Sequence, residues 1–126
     1  MDFSPEFRSV YRRAVENGWA EESDIGGTYM EEVMPDEVRH VVTNDIPQYI
    51  IEDATNAGLR CIKPKQKALG PHYFSYVVMC REQRPGSPWV LIRAEFTYDS
   101  QTWEVVLQRL SAKVIKNSII TVEGEL

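Results

Sequence analysis

The chain reads as an α+β fold: two main N-terminal helices packed on a C-terminal, curved, mostly antiparallel sheet of four to five strands. Three features predict it. Apolar residues recur with a helical period as far as Gly58 and with a period of two beyond it. Asn56-Ala57-Gly58 separates the two regimes, and Gly- and Pro-containing turns divide the second into strand-length pieces. At 126 residues, 43% apolar and 26% charged, the chain is long enough and apolar enough for one core. Residues 1–126 are therefore expected to form a single domain, with a helical half 1–58 and a sheet half 59–126.

The first helix begins at Ser4, an N-cap type of residue, followed by Pro5 at the position where a missing N–H is harmless. Phe7, Val10, Tyr11, Ala14 and Val15 follow the spacing of one apolar face, and Gly18 before Trp19 reads as a left-handed stop. Residues 20–28 contain Gly26-Gly27 among acids and read as a loop, after which Thr28 and Glu31 have capping-box spacing. Pro35 starts the second main helix, because Asp36 and Glu37 then meet the positive end of its dipole. Val38, Val41, Val42, Ile46, Tyr49, Ile50 and Ala54 make its core stripe. Pro47 lies inside that run, so a kink or two consecutive helices are expected.

In the sheet half, Val90, Ile92, Ala94, Phe96 and Tyr98 alternate with Leu91, Arg93, Glu95 and Thr97, and Trp103, Val105 and Leu107 alternate with Glu104, Val106 and Gln108. Asp99-Ser100-Gln101 reads as a tight hairpin, and Arg84-Pro85-Gly86-Ser87-Pro88 as the turn that joins a strand over 72–82 to the next. A last strand over about 114–122 is expected to complete the meander. Pro64 confines residues 59–68 to an edge or a loop. Cystatin-like and nuclear-transport-factor-like folds have this general order of helices and strands, a comparison of architecture alone.

Several function classes lose ground on composition. The acidic start Met1-Asp2-Phe3-Ser4-Pro5-Glu6 is unlike a secretory signal, and no run approaches the ~18 apolar residues of a membrane span, so a cytoplasmic location with no membrane partner is expected. Cys61 and Cys80 lack CxxC spacing and read as buried, reduced thiols. Ligand-type residues are scattered, so no metal site and no cofactor are expected. Gly26-Gly27 lacks the pattern of a phosphate loop. His40 reads as a surface or boundary residue, and a catalytic dyad of either histidine with Asp45, Glu95 or Asp99 would have to be made by the fold. No catalytic residue is assigned.

Two charged features remain. Lys63, Lys65 and Lys67, with Arg60 nearby, would project from one side of an extended segment. They read either as a phosphate strip or as edge charges that block unwanted strand pairing. The net charge of −5 favours the second reading and no direct nucleic-acid partner. That sum hides an asymmetry, since residues 1–58 carry 13 acids and 4 bases and residues 59–126 carry 6 acids and 10 bases. Glu21, Glu22, Asp24, Glu31, Glu32, Asp36 and Glu37 occur with no Lys or Arg between them.

The expectation that follows is a non-enzymatic protein-interaction domain, an inhibitor or immunity-type binder. It would present those acids, with Trp19 and Tyr29 as anchors, to a basic and nucleic-acid-processing kind of protein partner. The alternatives are a small-molecule-binding domain or enzyme with a pocket around His72, Glu95 and Tyr98 between helices and sheet, and an assembly subunit that forms a homodimer through the sheet.

Overall fold

The computed structural model describes residues 4–17, 36–62, 65–70, 72–99, 101–102 and 104–115. Helix α1 spans Ser4–Asn17, stopping one residue before Gly18. Phe7, Val10, Tyr11 and Ala14 are buried along one face. Val15 is 45% exposed instead of completing the stripe, because at about 100° per residue it lies about 80° round the helix from Phe7.

The second helical run breaks as Pro47 predicts. Helix α2 (Asp36–His40) passes into a π-helical turn (Val41–Asp45) and then helix α3 (Ile46–Asn56). In the π turn the Ile46 N–H reaches back five residues to the Val41 carbonyl. The next bond in that register would be from residue 47 to Val42, and proline has no N–H to make it. The Val42 carbonyl is therefore left over. It accepts a hydrogen bond from the Tyr76 hydroxyl of the sheet, and another from the Gln66 amide at 3.1 Å. Val42, Ile46, Ile50 and Ala54 are buried, whereas Val41 is 36% exposed, rotated to the flank by the wider turn. Gly58, at φ +84°, ends α3 in the left-handed conformation that favours glycine.

Five antiparallel strands follow: β1 (Leu59–Cys61), β2 (Lys65–Gly70), β3 (Tyr73–Glu82), β4 (Val90–Tyr98) and β5 (Val105–Val114). The order is β1-β3-β4-β5, with β2 pairing β3 on the same side as β1. Thus β1 and β2 make one interrupted edge, β1 against Cys80–Glu82 and β2 against Tyr73–Val77. Pro64, between them in the sequence, lies outside the described residues.

The β3–β4 turn closes with the Ser87 N–H on the Arg84 carbonyl at 3.2 Å, with Pro85 and then Gly86 at φ +80° in the type II arrangement. The β4–β5 hairpin is wider than the tight turn expected of Asp99-Ser100-Gln101. Its last backbone bond joins the Asp99 N–H to the Glu104 carbonyl, and Asp99 Oδ1 accepts the N–H groups of Gln101 and Thr102 at 2.7 and 2.9 Å.

Strand β5 runs from Val105 to Val114, and the last strand expected over about 114–122 falls almost entirely on residues outside those described. A register shift opposite Glu95 and Phe96 gives β5 one extra residue, so Leu107 pairs with Phe96 and Arg109 with Glu95. The bulge resets the alternation, so that Val105, Leu107, Leu110, Ala112 and Val114 all pack on the core. Trp103 and residues 116–122 of that expectation lie outside the described residues.

The helices cover one face of the sheet. Phe74, Tyr76, Phe96 and Tyr98 form an aromatic layer there, with Phe74 and Phe96 stacked at 5.6 Å between centroids and Tyr76 edge-on to both. Phe7, Tyr11, Val42 and Ile50 fill the space above it. The opposite face carries a smaller cluster of Ile62, Val77, Trp89, Leu91 and Ile115, with Met79 against it.

Two outcomes test these arrangements. Replacing Tyr76→Phe costs about 1 kcal/mol in urea unfolding, since Gln66 still serves the Val42 carbonyl, while the Tyr76→Phe/Gln66→Ala double variant loses more than the sum of the single losses. For Asp99, the backbone hydrogen bonds from Thr102 and Gln101 hold the carboxyl below its ordinary value. A depressed native pKa contributes stability above the unfolded value of about 3.9 and loses it as pH falls through the native one. The stability gap between wild type and Asp99→Asn is thus constant from pH 7 to about 5 and closes below about pH 4, measured by thermal melts across that range.

Candidate functional site

Of the nine residues assigned to an acidic docking face, the structure describes Asp36 and Glu37. Both are exposed in the first turn of α2. Trp19, Glu21, Glu22, Asp24, Tyr29, Glu31 and Glu32 lie outside the described residues.

His72, Glu95 and Tyr98 do not line one pocket. His72, at φ +56°, is exposed at the β2–β3 connection and meets the Tyr98 ring edge-on at 4.8 Å. Tyr98 is buried on the helix-covered face with Phe96, whereas Glu95 alternates to the other face opposite Ser75 and Arg109. The period of two that put them on one strand also put them on opposite sides of the sheet. His40 Nε2 stands 3.5 Å from Asp45 Oδ1, one π-helical turn away, with both side chains more than half exposed. An exposed pair of this kind has no enclosed ground beside it in which to hold a substrate.

Cys61 and Cys80 occupy directly opposite positions on β1 and β3, with sulfurs 3.3 Å apart. Both are buried free thiols. Burial, and then the contact with Cys61, pushes the Cys80 thiol well above its ordinary value, which suppresses the reactive thiolate. Among the described residues no three His, Cys, Asp or Glu side chains converge as a metal set, and no helix is long and apolar enough to cross a membrane.

An open cleft of about 540 Å³ separates α1 from the β3–β4 turn, with Arg8, Tyr11, Glu82 and Arg84 in its wall. Glu82, 8% exposed at its side chain, receives Arg8 on one oxygen at 2.6 Å and Arg84 on the other. Arg8 also donates to the Ala57 carbonyl at 3.3 Å, and the Tyr11 hydroxyl donates to the Pro88 carbonyl at 2.7 Å. One guanidinium thus joins α1, the end of α3 and the end of β3. The carboxylate at the cleft is engaged by its own chain, which makes this a structural junction.

A second arrangement of charge is on the other face of the sheet. Strand pairing directs Arg60, Lys65, Lys67, Arg81, Arg93, Arg109 and Lys113 to the side away from the helices, with Glu95 the one carboxylate among the described outward strand positions. Between β4 and β5 this face has a shallow groove of about 180 Å³ lined by Leu91, Arg93, Glu95, Arg109, Ser111 and Lys113. The lysine spacing near Pro64 was the one local signal of it. The arginines come from strands whose alignment no local pattern reveals.

No protein-family model, no curated protein and no solved structure matches the chain. The Glu82 junction makes a separable prediction. Glu82→Gln lowers stability by about 2 kcal/mol because it weakens a buried, doubly bonded carboxylate. Arg84→Ala, at a side chain 76% exposed, changes it by less than about 0.5 kcal/mol in the same denaturant titration.

Proposed function

We propose that the chain is a non-enzymatic protein-interaction domain, of the inhibitor or immunity type, that docks through its acidic helical half on a basic protein surface. The observation that carries this reading is charge segregation: the half up to residue 58 has 13 acids against 4 bases, and seven acids between Glu21 and Glu37 have no base among them. Core formation needs none of those seven. Asp36 and Glu37 are exposed, as a docking role requires. The closely packed aromatic layer beneath the helices also favours surface recognition over a ligand held between helices and sheet.

Carboxylates in such a block accelerate encounter with a cationic surface and set its orientation, while apolar anchors supply most of the affinity. Trp19 and Tyr29 have the residue types for that role. The test is parallel affinity capture from the native host with wild type and with the Glu31→Lys/Glu32→Lys/Asp36→Lys/Glu37→Lys variant. A basic protein retained by wild type, lost from the variant and eluted by 0.5 M salt is the expected result, with an association rate reduced at least about tenfold once that protein is purified. Equal retention of the same proteins by both chains overturns the reading.

A further inference from the structure

We infer that Cys61 and Cys80 are a redox modification site, a thiol pair that a small-molecule disulfide such as oxidised glutathione converts reversibly into an internal disulfide clamping β1 to β3. This site is independent of the acidic docking face. The chain has two cysteines in 126 residues, and strand register sets them directly opposite each other. Their sulfurs are 3.3 Å apart. Packing asks only for apolar volume at each position and puts no condition on the two meeting.

The backbone geometry fits the bond. The Ile62 N–H donates to the Met79 carbonyl at 2.8 Å, so the ladder bonds flank Cys61 and Cys80 and leave them a non-hydrogen-bonded pair. At such a pair the Cα atoms come to about 4.5 Å, within the roughly 4.4–6.8 Å that a disulfide spans. The sulfurs need to approach by only about 1.3 Å, and the strands can stay where they are. A slip of one residue in β1 would put the two thiols on opposite faces.

Both thiols are buried, and burial followed by the contact with Cys61 suppresses the thiolate at Cys80. Reaction therefore starts from a locally opened state. Strand β1 has three residues and lies at the sheet edge, so parting it from β3 breaks few hydrogen bonds. Arg8 is the latch on that opening, because it holds both the Ala57 carbonyl, just before β1, and Glu82, the register partner of Leu59. Once β1 opens, one thiol loses its proton and attacks a sulfur of oxidised glutathione, giving a mixed disulfide and a glutathione thiolate. The second thiol, deprotonated in turn, attacks the protein sulfur of the mixed disulfide and expels the second glutathione thiolate. Two protein thiols thus give up two electrons and two protons, and one glutathione disulfide becomes two glutathione thiols. The product closes a loop across 19 positions that contains β2, and it ties the strand after α3 covalently to an interior strand.

The test is incubation of the folded full chain with oxidised glutathione at pH 8, followed by acid quenching, thiol counting after denaturation, peptide mapping and thermal melts. The expected product is a monomer with both thiols lost and Cys61 joined to Cys80. Its thermal midpoint is about 10 °C higher and returns to the starting value with dithiothreitol. Arg8→Ala, with its fold confirmed by circular dichroism, oxidises at least about fivefold faster because the latch is gone. Cys61→Ala shows no rise in midpoint with the oxidant. The inference is overturned if both thiols survive a day of incubation, if cross-linked dimers are the main product, or if the midpoint stays or falls when the internal bond forms. It is equally overturned by an Arg8→Ala rate equal to that of wild type, or by an oxidant-dependent rise that persists in Cys61→Ala.

Discussion

A proline in the wrong register for an α-helix sets the main packing contact of this molecule. Pro47 cannot supply the N–H that the π turn would direct to Val42, so a buried carbonyl needs donors from elsewhere. Tyr76 and Gln66, on two different strands, provide them. Burial raises the Tyr76 phenol far above its ordinary value, which keeps the hydroxyl protonated and a donor. The bond fixes where the helical run sits over β3, and so which sheet face the helices cover.

The second helix-to-sheet link works at the opposite end of the same layer. Arg8 spans from α1 to Glu82 on β3 and to the Ala57 carbonyl at the end of α3. The helices are thus pinned by polar bonds at two places and by the apolar stripe between them. Because the polar bonds have specific partners, they select one register among the many that a purely apolar interface would tolerate. With that layer in place Arg60, Lys65, Lys67, Arg81, Arg93, Arg109 and Lys113 stand on the far side of the sheet.

Much of the fold was legible because period and punctuation are local. The stripe through Phe7, Val10, Tyr11 and Ala14, the break near Pro47, the stop at Gly58 and the alternation from Val90 to Tyr98 each need only a few neighbouring residues to read. The failures share a cause. Val15 and Val41 are apolar and nearly in phase, and only packing decides that they fall on a flank. The bulge in β5 shifts the alternation between Leu107 and Leu110, so the period of two read through Gln108 does not carry on to the end of the strand.

The site divides in the same way. Charge signs, the acidic block and the absence of local metal or nucleotide motifs are properties of residue order, and they are plain before any folding. Which charges share a surface is not, because strands far apart in the chain meet through long-range pairing whose register is set by the whole core. Lys65 and Lys67, read alone along the chain, come to share register rows with Arg93 and Arg109. Glu95 and Tyr98, three residues apart, are separated by the thickness of the sheet. Element identity follows from short-range sterics and periodicity, whereas the composition of a face follows from register, and register is a property of the folded molecule.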